Sequence, residues 1–378
     1  MTRHIALYVH IPFCRRKCRY CSFVSYEGRE ADIPAYVNAI KKEIANHAGG
    51  ECVDSIYFGG GTPSLLSTGQ IGEILEAARS HFTIDPAAEI SIEANPGTVD
   101  EDYLTGIRRL GVNRLSLGVQ SLRDDELKLL GRIHTAAQAE EAMSLARKSG
   151  FDNVNLDFIY GLPGQSLADW QVTLEKALAL APEHLSLYAL TLEPGTPLWQ
   201  AVEQKQLPAI DPDLAADQYE LAEDMLAAGG YRHYEISNWA RPGRECRHNL
   251  VYWRNLPYWG VGVAAHSCLD GHRYANTSSL DEYLAAFSRG ALPEKQLDEK
   301  ISPELWLAET VILGLRLGEG VSVAKISGQS GIDFQERYRR PVREMADLGL
   351  LEYSGGNIKL TRRGRLLSNE VFWRFLPD

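Results

Sequence analysis

Six short runs rich in apolar, β-branched and aromatic residues recur along the first half of the chain: "IALYVHI", "VDSIYFGG", "EISIEAN", "RLSLGVQ", "NVNLDFIYG" and "HLSLYALTL". Stretches with helical periodicity separate them. In "IGEILEAARSHF", Ile71, Leu75, Ala78 and Phe82 fall on one helical face, and in "DEDYLTGIRRLG", Asp100 stands as an N-cap with Gly111 as the stop. Strands without clean alternation, each followed by a helix, predict a parallel sheet covered on both faces. Six such units predict an α/β fold, a partial (β/α)6 barrel of the TIM type. Chemistry in that architecture gathers at the C-terminal ends of the strands.

The rhythm stops near residue 195, and the chain has 378 residues, too many for one ordinary unit. Three parts are expected: a barrel over 1–195, an aromatic-rich extension or lid over 196–300, and a smaller α+β domain over 301–378. In the last, "LLEYSGGNIKLT" reads as two strands about a Gly-Gly turn after a set of helices, which suggests a winged-helix-like unit. Its segment "ERYRRPVRE" could serve as a recognition helix. The balance from Lys300 to Asp378 is nevertheless near neutral, 12 Lys and Arg against 10 Asp and Glu. The whole chain carries a formal charge of −11, against the basic surface that broad nucleic-acid binding requires. No apolar run approaches the roughly 20 residues that span a bilayer. With no export signal at the N-terminus, a cytoplasmic location is expected.

Of six cysteines, Cys52, Cys246 and Cys268 are scattered and read as small buried hydrophobes. The other three stand together in "YVHIPFCRRKCRYCSF" as C-x3-C-x2-C: Cys14, Cys18 and Cys21. In a reducing compartment such a cluster reads as metal-binding. A structural zinc calls for four ligands, usually in two separated pairs, and the sequence has no second C-x2-C. Three thiolates on a four-iron cluster would leave one iron open to an outside ligand. Polar residues and glycines also recur at equivalent strand ends: Gly59, Gly60, Gly61 and Thr62 after the second run, Glu93 and Asn95 at the third, Gln120 at the fourth and Asp157 in the fifth.

C-x3-C-x2-C after the first strand, with "GGGTP" after the second, resembles the radical S-adenosylmethionine proteins. The resemblance implies a [4Fe–4S] cluster on Cys14, Cys18 and Cys21, with S-adenosylmethionine as ligand to the remaining iron. It implies that Gly60, Gly61 and Thr62 line the cofactor, that Glu93 receives its amino group, and that Tyr20 packs near its adenine. Tyr8, Gln120, Arg132 in "GRIH" and Asp157 match cofactor or substrate-pocket positions of the porphyrin-related branch. The matches "YVHIPFC", "YFGGGTPS", "EANPGT", "LGRIH", "NLDFIYGLPGQ" and "LTLEPGTPL" are similar to the family of the oxygen-independent coproporphyrinogen III dehydrogenase HemN and its relative HemW.

Two features separate those relatives. Phe23 stands where the dehydrogenase pattern has a fourth cysteine, and "HNLVYW", residues 248–253, matches the H-N-x-x-Y-W pattern of the HemW subgroup. That subgroup resembles haem chaperones, which implies haem as a third cofactor; the His248 imidazole can ligate its iron, with His233, His266 and His272 as the other candidate ligands. It also implies acceptor haem proteins as partners, respiratory and membrane-bound ones among them. Pairing into a homodimer and transient contact with a membrane through such partners are compatible with this reading. The alternatives are an enzyme that oxidatively decarboxylates coproporphyrinogen III and a radical enzyme on another substrate.

Overall fold

A computed structural model describes residues 3–47 and 49–377. The six apolar runs form six strands: β1 (His4–Ile11), β2 (Cys52–Gly60), β3 (Thr83–Ala94), β4 (Arg114–Gln120), β5 (Val154–Tyr160) and β6 (His184–Ala189). Helices α1 (Ile33–Asn46), α2 (Thr68–His81), α3 (Glu101–Arg109), α4 (Asp124–Leu130), α5 (Ala136–Lys148) and α6 (Leu167–Ala179) lie between and after them. Helix starts follow local chemistry. Ser67 and Gln70 form a capping box at α2, and Asp100 accepts from Tyr103 N–H at 2.8 Å to open α3.

Beyond the sixth strand come α7 (Pro197–Glu203), α8 (Pro212–Ala228), β7 (Arg232–Glu235), β8 (Asn238–Ala240), α9 (Arg247–Trp253), β9 (Tyr258–Val261), β10 (His266–Leu269), β11 (His272–Asn276), α10 (Leu280–Ser288) and β12 (Lys295–Lys300). These additions extend the sheet at both edges, to twelve strands in the order β12-β11-β10-β9-β1-β2-β3-β4-β5-β6-β8-β7. Six parallel pairings join β9 and β1 to β6, so seven strands run parallel. The partial barrel of the sequence reading is present, and its sheet is open at β12 and β7.

One expectation is corrected. The strands do alternate, with apolar residues such as Ile56, Ile92, Leu115, Leu117, Leu156 and Leu185 in the main hydrophobic core. The intervening polar residues bond to one another across the sheet's other face. Ser116 Oγ donates to Asp157 at 2.9 Å, Asn155 donates to Ser116 at 2.7 Å, and His184 Nδ1 meets Asn155 Oδ1 at 2.6 Å. These polar side chains therefore satisfy one another inside the barrel.

The last eighty residues add a second core. Helices α11 (Pro303–Leu315), α12 (Val323–Ser330) and α13 (Phe334–Asp347) enclose Leu307, Val311, Phe334, Tyr338 and Ile358 with a small sheet of β13 (Val321–Ser322), β14 (Leu351–Ser354) and β15 (Asn357–Leu360). Gly355 and Gly356 take φ of +60° and +80°, the left-handed pair that a two-residue hairpin requires.

A buried carboxylate fastens β9 beside β1. Glu43 on α1 accepts from Gly262 N–H at 2.8 Å, Asn276 Nδ2 at 2.6 Å and Tyr283 O–H at 2.5 Å. Burial pushes its carboxyl up from 4.5 to about 6, against those three donors. The folded chain thus holds this proton more tightly than the unfolded chain does, and stability falls as pH rises through that window. By linkage the loss is about 2 kcal/mol. Glu43→Gln removes the titration, so its unfolding midpoint should gain on the wild type between pH 4.5 and 6.5. Parallel pH dependences in denaturant titrations of the two proteins would refute this.

Candidate functional site

The cysteine loop leaves β1 at Ile11 and is tied down at three points. Phe13–Cys14 pairs in parallel with Tyr26–Glu27. Lys17 N–H donates to Glu27 Oε2 at 3.0 Å, and Lys17 Nζ to Phe23 O at 3.0 Å. At the far side, Arg19 N–H donates to Leu130 O at 3.0 Å where α4 ends at Gly131, whose φ of +74° turns the chain toward Arg132. Arg132 then reaches back: Nη1 donates to Cys18 Sγ at 3.2 Å, and Nη2 donates to Gly118 O at 2.7 Å and to Asn95 Oδ1.

Cys14, Cys18 and Cys21 line one cavity of about 430 Å³ at the C-terminal ends of the strands, together with Tyr20, Gly60, Gly61, Thr62, Glu93, Gln120, Arg132 and Asp157. Eleven of the thirteen residues read from the sequence as site residues are in that wall. The other two are not. Tyr8 lies mid-strand in the barrel interior, its O–H 3.0 Å from His10 Nδ1 and its ring beneath Gly59. His248 lies on α9, 1% exposed, with Nδ1 at 2.9 Å from Ser55 Oγ and Nε2 at 2.9 Å from Tyr252 Oη. Burial, with the Arg114 charge nearby, lowers its pKa to about 3, so the ring is neutral. Helix α9 is anchored by Glu89, which accepts from Arg247 N–H at 3.0 Å and His248 N–H at 3.1 Å.

The glycine loop shows what the cavity asks of its wall. Gly60 has φ +114°, and a Cβ on Gly61 would stand 2.7 Å from Phe13 O, 3.0 Å from Ile11 O and 3.1 Å from Cys14 Sγ. The loop therefore passes against the cysteine segment with no room for a side chain. Thr62 Oγ1 faces Cys14 Sγ at 3.7 Å and accepts from Asn95 Nδ2 at 2.9 Å. Glu93 accepts from Tyr57 O–H at 2.9 Å and Gly60 N–H at 3.2 Å; burial and the Asp157 charge push its carboxyl up to about 7. Gln120 takes φ +67° where the ladder between β4 and β5 shifts register, which turns it toward the cavity.

Sequence reasoning missed Ile159, Tyr188 and Leu190, which complete the wall from β5 and β6. They carry no motif; their only signal was a position at the C-terminal strand ends, equivalent to that of Glu93 and Gln120. Phe23, 68% exposed, stands at the cavity beside Cys21.

The residues fit an iron–sulfur cluster better than a single ion. A zinc with thiolates at 2.3 Å needs sulfurs roughly 3.8 Å apart. Among the described residues, the group of ligand atoms gathered within 4.8 Å of one another is His4, Cys52 and Asp54, and the three clustered cysteines are not in it. Burial pushes the thiols of Cys14 and Cys21 up, so a bound cation is needed to hold them as thiolates. Arg132 Nε is buried without a partner, a donor left over in the wall.

Comparison with known proteins bears on this geometry. Residues 8–177 match the radical SAM superfamily, and residues 301–367 match the HemN C-terminal domain. The chain is 41% identical to the heme chaperone HemW of Synechocystis sp. over 331 residues, 85% of this chain and 80% of that one. It is 34% identical to the heme chaperone HemW of Bacillus subtilis over 98% of this chain and 99% of that one. In structure it is similar to the coproporphyrinogen III oxidase HemN of Escherichia coli, a radical SAM enzyme, with a TM-score of 0.86 and 27% identity over 99% of this chain and 90% of that one. By this likeness over almost its full length, and by the three-cysteine cavity at the strand ends, the chain belongs to the HemW family of the radical SAM superfamily.

Proposed function

We propose that the chain is a haem chaperone that binds haem and delivers it to haem proteins. The observation that carries the proposal is the likeness to proteins named heme chaperone HemW over 98% of the chain. Cys14, Cys18 and Cys21 hold a [4Fe–4S] cluster in this reading, and the cavity beyond them takes S-adenosylmethionine. A cluster on three thiolates supplies one iron free of protein ligands, to which the amino and carboxylate groups of that cofactor can attach. In this reading Glu93 accepts from the cofactor's amino group, and Gly60 and Gly61 allow close approach of their backbone. The Arg132 guanidinium holds Cys18 in place and opposes the negative charge of a thiolate-bound cluster.

Haem is proposed to meet the chain at α9, with His248 as iron ligand, and the burial of that ring sets a condition. Helix α9 has to leave the barrel floor and give up the bonds to Ser55 and Glu89. The apparent affinity is then reduced by the fraction of chains in the open state. The proposed acceptors include respiratory, membrane-bound haem proteins, met transiently from the cytoplasm. No helix among the described residues is long and apolar enough to cross a membrane. Pairing of two copies is part of the same proposal.

The likeness to the HemN oxidase favours a second reading, oxidative decarboxylation of coproporphyrinogen III; Phe23 in place of a fourth cysteine counts against it.

Two sets of variants test the proposal. Cys18→Ala should abolish the visible iron–sulfur absorbance, and Gly61→Ala should lower iron and sulfide per chain by forcing Cys14 from its place. Wild-type cluster content in both would remove the assignment. In an anaerobic haem titration of cluster-loaded protein read at the Soret band, saturation near one haem per chain is expected. His248→Ala should weaken it. Ser55→Ala, by removing a bond of about 1 kcal/mol from the closed form, should strengthen it up to about fivefold. Equal affinities in all three proteins would place the ligand elsewhere. Unsaturable binding in the wild type would end the haem reading and make coproporphyrinogen III turnover the next assay.

A further inference from the structure

A second group of metal-ligating side chains lies where the barrel begins, at the opposite ends of β1 and β2 from the cysteine loop. His4 opens β1 and is paired with Cys52, which opens β2. The register then slips: Ile5 faces Val53, but Ala6 faces Ser55, so Asp54 is an extra residue without a partner across the pair. Such a bulge re-aims a side chain and bends its strand. Here the Asp54 carboxylate meets the His4 imidazole, Oδ1 to Nδ1 at 2.7 Å. The Cys52 sulfur joins them, and the three ligating atoms all lie within 4.8 Å of one another.

We propose that His4, Cys52 and Asp54 form a binding site for a borderline divalent cation of the zinc class. One imidazole nitrogen, one thiolate sulfur and one carboxylate oxygen make the donor mixture that Zn²⁺ takes, and neither Mg²⁺ nor Ca²⁺ favours a thiolate. The charge around the thiol points the same way. The Asp54 carboxylate lies beside the sulfur and supplies negative charge that a divalent cation would offset. Binding then forms a metal–sulfur bond and releases the thiol proton to water. The geometry also sets the kind of site. Cys52 is 9% exposed, whereas His4 is exposed and Asp54 half-buried, so solvent reaches one side of the group. Three protein ligands with water in the fourth position follow, an open site rather than the closed tetrahedron of a structural zinc. Its ligands come from two adjacent strands already hydrogen-bonded to each other, so binding needs only a small closing movement and ties the start of β1 to β2. None of the three touches the cysteine loop, and the site does not depend on the haem reading.

The test uses full-length protein with its cluster assembled anaerobically and loose metal removed by chelator. Zinc is added and bound zinc is measured by competition with a chromogenic chelator, with iron content followed in the same samples. The wild type should hold one zinc per chain beyond its iron. His4→Ala and Cys52→Ser should each lose more affinity than the roughly 10–100-fold that loss of an outer-shell partner costs, at unchanged iron content. His4 is exposed, so its variant keeps the fold if Cys52→Ser does not. Absence of zinc from the wild type would overturn the proposal. Equal zinc in His4→Ala would also overturn it, by assigning the ion to vacated cluster cysteines.

Discussion

The Arg132 guanidinium joins the cysteine loop to the sheet. Its two terminal nitrogens reach Cys18, Asn95 at the end of β3 and Gly118 O in β4, so one rigid planar group fixes a thiol against two strands at once. A lysine, with a point charge on a flexible stem, could not span these three acceptors in one plane. The turn that delivers Arg132 is itself anchored on the same loop, through Arg19 and Leu130. Loop, helix end and strand ends thus hold one another. The cavity they enclose can keep its shape before any cofactor enters, because each cysteine is already placed by protein contacts.

Beneath that cavity the barrel interior carries charge rather than oil. Arg114 is almost fully buried there, and the Tyr57 hydroxyl passes a hydrogen bond up to Glu93 in the cavity wall. The same Tyr57 ring stacks on His248 with centroids 5.1 Å apart. Burial disfavours the charged form of both groups: it lowers the His248 pKa, with Arg114 adding to the effect, and raises that of Glu93, with Asp157 adding to it, which is why a neutral imidazole and a carboxyl titrating near neutrality coexist in one interior. Helix α9 closes the floor of this polar core with its N-terminal amides on Glu89.

Much of the cavity was legible from the sequence because its chemistry requires particular residues at particular spacings. The thiols had to be close in the chain to be close on one loop, and the glycines had to stand where a Cβ would collide with Phe13 O. Glu93, Gln120 and Asp157 could be read because a parallel barrel brings equivalent strand ends to one rim. Ile159 and Leu190 were not legible, since an apolar residue at a strand end looks the same whether it lines a cavity or a core. The alternation in "RLSLGVQ" and "HLSLY" does not by itself reveal a polar interior face, because single serines between leucines also fit a doubly covered strand.

His248 marks where local pattern and tertiary placement part. "HNLVYW" offers an imidazole and aromatic faces, which as a list of groups suits a porphyrin, and the same groups suit the floor of a polar barrel. Helical spacing puts His248 and Tyr252 on one side of a short helix, and they bond to each other at 2.9 Å. A second bond, to Ser55 of β2, needs strand residues nearly two hundred positions away, which no local reading supplies. A ring satisfied at both nitrogens is stable where it is; it becomes a ligand only if something competes for Nε2. A seven-residue helix with few buried apolar residues is the kind of element that opens at low cost, since only His248 of its residues is buried. In the proposed haem reading, closure of the floor and capture of an iron are alternative uses of one imidazole, and which prevails depends on the balance between the bonds to Ser55, Tyr252 and Glu89 and one metal bond.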